Sequence, residues 1–312
     1  MSSKKTLSIV IPVYNSAATI GDLVSQLIEI IGQQEELQIV LANDGSPDNC
    51  DELCRGLAIA NPEIITYLKL AKNFGEHNAV MAGLNHARGD YTIIMDDDFQ
   101  NPPAEVIRLV KFARDGNYDI VYSKFPKKHH HIIRNLGSNL QNMMASILLK
   151  KPQSLYLSSF KCLSRFVVGQ IIDYKGPHPY IDGLALRSSN NIGVLEVEHK
   201  PRKTGESNYT ISKLIRVWLN TFINFSILPL RIASILGLCF SMLGLVLGIV
   251  VVIEKLTDPL LPIGWPSTMV AIMIFSGVQL LILGILGEYV GHLMLLSNRN
   301  PQFVIKDIID QK

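Results

Sequence analysis

Tyr91-Thr92-Ile93-Ile94-Met95-Asp96-Asp97-Asp98-Phe99-Gln100-Asn101-Pro102-Pro103 sets a β-prone apolar run directly against three adjacent carboxylates. The first half predicts a strand, and the second a loop punctuated by two prolines. Clustered acids at a strand's carboxyl end are poor core material. Buried without a counter-ion they would each cost several kcal/mol or take up protons. They suit a hard divalent cation such as Mg²⁺ or Mn²⁺, which takes one or two protein carboxylates and draws further ligands from phosphates. An exposed acidic turn is the other reading open to the triplet taken alone.

The flanking pattern favours the cation. Apolar β-rich runs recur at Leu7–Val13, Gln38–Ala42, Ile64–Leu70, Tyr91–Met95 and Asp119–Tyr122. Helix-period segments separate them at Thr19–Ile31, Pro47–Ala60, Glu76–Ala87 and Ala104–Arg114, with Ser46-Pro47 expected as an N-cap and first-turn pair. This alternation predicts a mostly parallel α/β sheet covered on both faces. Ligands of such sheets bind outside the strands' carboxyl ends. There the sequence places Pro12-Val13-Tyr14-Asn15, Asn43-Asp44-Gly45-Ser46, Lys72-Asn73-Phe74-Gly75 and the acidic triplet. Further on, helices are expected near Asn135–Leu149 and Cys162–Asp173, and a strand at Gly193–Glu198.

The second half is oily. The 312 residues are 48% hydrophobic and 18% charged, with a mean hydropathy of +0.24. Ile232–Ile253 and Trp265–Gly287 carry no charge, and each exceeds the roughly 20 residues that cross a bilayer's hydrocarbon core. The short Glu254–Gly264 connection makes them a hairpin, and Gly237, Gly244, Gly248, Gly277, Gly284 and Gly287 would allow close helix approach and self-association as a homo-oligomer. Lys255 is the one cation between them, whereas Lys200, Arg202, Lys203, Lys213, Arg216 and Arg231 precede and Arg299 and Lys306 follow. Both termini and the sheet domain are therefore expected on the cytoplasmic side of the plasma (inner) membrane. The expected organisation is a sheet domain over 1–210, an amphipathic juxtamembrane helix within 211–228, the two spans within 229–290 (about 232–253 and 265–287) and a cytoplasmic tail over 291–312. The helix Ile211–Ser226 could lie among headgroups or pack on the sheet domain. A net charge of +2 gives no reason to expect nucleic acid, and the N-terminal apolar run reads as a strand, not a signal peptide. Four cysteines form no disulfide or zinc framework, and Lys127-Lys128-His129-His130-His131 reads as a solvated basic loop ahead of a metal site.

The ordered set Val10–Asn15, Asn43–Ser46, Asp96–Pro103, Arg202–Tyr209, Pro229-Leu230-Arg231 and Leu286–Gly291, followed through a two-span hairpin, resembles the family 2 glycosyltransferases of GT-A fold. Within these it is similar to the polyprenyl-phosphate enzymes of GtrB and dolichol-phosphate-mannose-synthase type. The resemblance implies a Rossmann-like catalytic domain with a C-terminal transmembrane hairpin. It also implies inverting transfer of one sugar from a nucleotide-sugar donor to a membrane-borne polyprenyl (undecaprenyl) phosphate acceptor. By resemblance Asp98 is the principal metal ligand, with Asp96 beside metal and ribose. Asp44 would accept from the base, and Pro12, Tyr14 and Asn15 would shape the nucleoside pocket. Lys72, Asn73 and Asp97 would line the donor site, and Arg202 and Lys203 would clamp diphosphate or lipid phosphate. An anionic phosphate acceptor needs little or no general base. Where many relatives carry an acid before Phe-Arg-Leu, this chain has Ser158-Ser159-Phe160-Lys161, so Asp182 is the substitute catalytic candidate. Ser16 and Asn43 also stand where acids are common. UDP-glucose is the expected donor, with GDP-mannose, a UDP-aminosugar or a modified pentose as alternatives. A non-catalytic nucleotide-binding scaffold is the rival of another class.

Overall fold

The computed structural model describes residues 6–125, 155–176, 179–198, 228–257, 264–298 and 301–310. The expected Asn135–Leu149 helix, the Lys127–His131 run, Arg202, Lys203 and the Ile211–Ser226 helix lie outside the described residues.

The first half alternates as its periodicity dictates. Its elements are β1 (Thr6–Val13), α1 (Ile20–Ile31), β2 (Glu36–Asn43), α2 (Cys50–Ala60), β3 (Ile65–Leu70), α3 (Glu76–His86), β4 (Tyr91–Ile94), α4 (Pro103–Asp115) and β5 (Ile120–Lys124). β1 lies between β2 and β4, parallel to both, with Val13 opposite Asn43 and Val10 opposite Ile94. Leu7, Ile9, Ile11 and Val13 bury one face of β1 in the cluster that α1, α2 and α4 complete, while α3 covers β1, β2 and β3. Period-2 alternation thus leaves both faces dry, as a parallel sheet requires. On α1, Ile20, Leu23, Val24, Leu27 and Ile31 form a stripe at three- and four-residue spacing, and all are buried. Each such side chain contributes about 1.5–3 kcal/mol by leaving water.

The remaining elements are β6 (Lys161–Ser164), α5 (Arg165–Ile172), α6 (Ile181–Ser188), β7 (Ile192–Glu196) and, after two long helices, β8 (Ile305–Ile309). The sheet order is β7-β5-β6-β4-β1-β2-β3-β8, with β6 antiparallel to β4 and β5, and β8 antiparallel to β3. The sheet is therefore mixed, though mostly parallel as expected. Three expectations need correction. Cys162–Asp173 is not one helix: Lys161–Ser164 is a strand, and the Ser164 hydroxyl accepts from Val167 N–H to start α5. A short apolar run is ambiguous by period, and the gap between β4 and β5 decides it. The second helix begins at Cys50, not Pro47, because the Ser46 hydroxyl is spent on Asn15 N–H and the Val13 carbonyl. Finally, the C-terminal stretch expected as a tail supplies β8, with Tyr67 opposite Ile309 and Ala71 N–H donating to the Val304 carbonyl at 2.8 Å. It covers the β3 edge, which otherwise presents unpaired backbone groups.

The chain divides into two compact units, one holding the sheet with β8 and one holding α7 (Leu228–Thr257, 30 residues) and α8 (Trp265–Ser297, 33 residues). At 1.5 Å per residue each helix reaches roughly 45 Å, more than a hydrocarbon core needs. Leu238, Met242 and Leu245 on α7, and Leu280, Leu281 and Leu293 on α8, are exposed. So much exposed apolar surface on one unit fits lipid and not water.

At the sheet's other end, both guanidinium amino groups of Arg114 hold the two Glu35 oxygens, and both side chains are mostly buried. Arg114→Ala is expected to cost ~2 kcal/mol, because it strands a half-desolvated Glu35. The double variant Arg114→Met/Glu35→Leu should be milder, and thermal midpoints of the two proteins check the order.

Candidate active site

The carboxyl ends of β1, β2, β3 and β4 and the start of β6 share one rim, so their loops must satisfy one another's polar groups. In the loop after β1, Tyr14 N–H reaches Asp97 Oδ2 at 3.3 Å, and the Ser16 hydroxyl donates to the same oxygen. Asn15 turns left-handed (φ +58°), a conformation asparagine tolerates, and its N–H meets Ser46 Oγ at 3.2 Å. The Tyr14 side chain stands exposed beside Pro12, which lies opposite Ala42 of β2.

Asp44 at the end of β2 is buried, and its two oxygens accept Phe74 N–H at 2.7 Å and Gly75 N–H at 2.9 Å. Burial raises its pKa, and these two bonds oppose the rise. Asn43, where an acid is common, accepts from Ser46 N–H at 2.9 Å and donates to the Tyr67 hydroxyl at 3.0 Å. It stiffens the loop as an amide. Lys72 and Asn73 are exposed, and the Lys72 ammonium lies 5.2 Å from the centre of the Phe74 ring. Gly45 takes φ +66°, and a β-carbon there would fall 2.7 Å from Lys72 C and 2.8 Å from Asn73 N. Only glycine lets these two loops touch.

The triplet divides its labour. Asp97 braces the first loop, as above. Asp96 Oδ2 accepts from Ser159 Oγ at 2.6 Å. That bond follows from the β4–β6 register: Ile94 faces Lys161, so Asp96, two residues on, meets Ser159, two residues back. Asp98 is nearly buried, and its Oδ1 accepts Gln100 N–H at 3.1 Å across Phe99, a buried residue forced to φ +61°. A left-handed phenylalanine costs of order 1–3 kcal/mol, and such strain clusters at working sites. Burial, with repulsion from Glu76 next, pushes the Asp96 pKa up to about 6; burial also pushes Asp97 to about 6 against the bonds from Ser16 and Tyr14.

Asp182, on α6, joins this rim but as an ion-pair partner. The buried Lys161 ammonium and the Tyr122 hydroxyl (3.1 Å) both donate to its Oδ1. Sequence reasoning gave Lys161, Ser159 and Tyr122 no role; the β4–β6 and β5–β6 pairings together bring them here. It also passed over Glu76 and His77, which open α3 directly after the Lys72–Gly75 loop, a position that could have flagged them. The His77 ring meets Tyr180 edge-on at 5.4 Å. Arg202 and Lys203 lie outside the described residues.

A divalent cation fits this donor set. Asp96 and Asp98 offer hard oxygens in a patch where negative charge exceeds the one nearby ammonium, that of Lys161. Such oxygens would suit a hard divalent cation whose remaining ligands come from phosphate and water.

Comparison with known proteins agrees with this geometry. Residues 8–163 match glycosyl transferase family 2, and residues 228–293 match the GtrB C-terminal hairpin. The undecaprenyl-phosphate 4-deoxy-4-formamido-L-arabinose transferase of Aeromonas hydrophila is 32% identical, over 98% of this chain and 94% of that protein. That of Edwardsiella ictaluri is also 32% identical, over 99% and 97%. Among solved structures, glucosyl-3-phosphoglycerate synthase from Mycobacterium tuberculosis, crystallised with Mn²⁺, UDP and phosphoglyceric acid, superposes with a TM-score of 0.51 at 17% identity, over 70% of this chain and 78% of that one. At that identity the likeness speaks for the GT-A fold.

Gly45→Ala is expected to destabilise the protein by ~1–3 kcal/mol, since it adds both a left-handed strain and a backbone clash. A lowered thermal midpoint with Ser46→Ala as the milder comparison checks it; an unchanged midpoint would show that the two loops can part freely.

Proposed function

The chain belongs to the GtrB-type polyprenyl-phosphate glycosyltransferases of glycosyl transferase family 2, membrane-associated enzymes that load a sugar onto undecaprenyl phosphate, and from that membership we propose its particular reaction. It moves one sugar from a UDP-sugar to undecaprenyl phosphate with inversion at the anomeric carbon. The product is a polyprenyl-phosphate sugar for cell-envelope glycans. The observation that carries this is the rim itself: the loops that hold Asp44 and Tyr14 stand beside the loop that carries Asp96 and Asp98. UDP-glucose is one donor that fits. A UDP-linked modified pentose fits as well, because the relatives from Aeromonas hydrophila and Edwardsiella ictaluri are named for such a sugar.

A bound Mg²⁺ or Mn²⁺ would neutralise the diphosphate as it leaves. Asp98 and Asp96 would hold that ion. Ser159 orients Asp96, and Asp97 and Asp44 keep the surrounding loops in place through backbone N–H groups. Asp182, tied to Lys161 and Tyr122, orients groups and takes no proton; the acceptor's phosphate oxygen is already anionic and needs no base. Topology is read the same way. The strands before α7 and β8 after α8 build one sheet, so α7 and α8 would cross the bilayer twice, returning the chain to the cytoplasmic side. The glycines of the two helices support self-association.

The test is incubation of the full-length protein with radiolabelled UDP-sugars, undecaprenyl phosphate and Mn²⁺, followed by extraction of lipid-soluble label. Label is expected with one donor, lost with EDTA, and reduced by at least ~100-fold in Asp98→Asn, the scale of removing a transition-state charge contact. Turnover indifferent to EDTA would refute the metal-assisted reading.

A further inference from the structure

The register of β2 against β3 sets a polar group into an apolar sheet face. Leu41 lies opposite Tyr67 and Asn43 opposite Lys69, so Asn43, Tyr67 and Lys69 share one side of the sheet, where Asp51 of α2 meets them. Asn43 Nδ2 donates to the Tyr67 hydroxyl at 3.0 Å, and that hydroxyl donates to Asp51 Oδ1 at 2.7 Å. Asn43 and Tyr67 are both buried. We propose that Tyr67 is a positioning residue for the nucleotide sugar: its single proton goes to Asp51, so position 43 must supply an amide donor, and the amide so oriented sets the turn that carries Asp44. The inference rests on the nucleotide-sugar reading above and deepens it.

The proton count carries the argument. A phenol has one O–H to give and otherwise accepts, whereas an ionised carboxylate only accepts. Asp51 is held as a carboxylate by the Lys69 ammonium on Oδ2 and by Arg55 Nε at 3.0 Å on Oδ1. Burial works against its ionisation, and the bonds from Lys69, Tyr67 and Arg55 overcome it, bringing the pKa to about 2. The Tyr67 hydroxyl keeps its proton, because burial and then the bond to Asp51 raise its own pKa. What remains to it is acceptance, which the Asn43 amide nitrogen fills. An aspartate at 43 would turn a second carboxylate on that hydroxyl with no proton between them. Arg55 also binds Asp307, so β8 steadies the same network.

The amide then has its oxygen left for the loop. Asn43 Oδ1 accepts Ser46 N–H at 2.9 Å, which closes the turn Asn43-Asp44-Gly45-Ser46, and Ser46 Oγ accepts Asn15 N–H at 3.2 Å from the β1 loop. Asp44, inside that turn, accepts Phe74 and Gly75 N–H from the loop after β3. A flipped or charged side chain at 43 breaks one of its two bonds, and three rim loops are tied to the turn they hold.

The experiment is a double-mutant cycle read in UDP affinity, on the full-length protein in micelles with Mn²⁺, with Asn43→Asp and Asp51→Asn singly and together. Asn43→Asp is expected to weaken UDP at least ~tenfold. Asp51→Asn alone should change it by less than ~threefold, because Tyr67 can still donate to the amide oxygen at 51. The pair should recover most of the loss, since the hydroxyl can then donate to position 43 and accept from position 51. A general charge effect would instead make Asp51→Asn tighten UDP by the same factor in both backgrounds. Such additivity, or an Asn43→Asp variant that binds UDP as the unmodified protein does, overturns the proposal. If Asn43→Asp does not fold, Tyr67→Phe decides: UDP about threefold weaker is expected, and unchanged affinity overturns it. Failure of the unmodified protein to bind UDP would instead sink the nucleotide-sugar reading, which separates the two.

Discussion

Parallel pairing of β1 with β2 and β4 is the constraint from which the site follows. Three strands run the same way in unbroken register, so their loops emerge side by side at one rim and must use each other's polar groups. Asp97 from the β4 loop holds Tyr14 and Ser16 in the β1 loop, and Asp44 from the β2 loop holds Phe74 and Gly75 ahead of α3. Neighbouring acids thus do unlike work. Asp97 and Asp44 brace one loop against another, whereas Asp96 accepts from the Ser159 hydroxyl and Asp98 from Gln100 N–H within its own loop.

That arrangement gathers unfavourable energy at the rim. Burial and mutual repulsion hold Asp96 and Asp97 near pKa 6, and Phe99 keeps a left-handed backbone between Asp98 and Gln100. Both costs are borne by a framework whose strands β1 and β2 are buried almost throughout. A cation brought in with a diphosphate would relieve the electrostatic part, which couples metal and nucleotide in one binding event. The Lys161–Asp182 pair follows a different logic. Both groups are desolvated and satisfied together with the Tyr122 hydroxyl.

β8 bears on how the two units form one chain. It is separated in sequence from β3 by both long helices, yet it pairs with β3, and Arg55 and Arg88 bind Asp307 and Asp310 at either end of that pairing. The strand that β8 protects runs directly into the loop that holds Asp44. Edge protection and support of the Asp44 end of the rim are therefore one structural fact.

The periodic apolar runs determined β1 to β5, the helices between them and the two long lipid-suited helices, because burial of regularly spaced side chains is a local property of the sequence. The same logic made the rim loops and the acid triplet legible, since loop positions follow once strands are placed. Tertiary structure alone decided the rest. Lys161–Ser164 became a strand because β4 and β5 left a gap of the right width, and β8 formed because the β3 edge needed a partner. It alone separated Asp97 from Asp96 and Asp98, and it alone brought Ser159, Lys161 and Tyr122 to the acids. Adjacent residues of one type are indistinguishable along a chain, and hydrogen bonds between residues 60 or more positions apart, such as Ser159 to Asp96, exist only once the sheet has set their register.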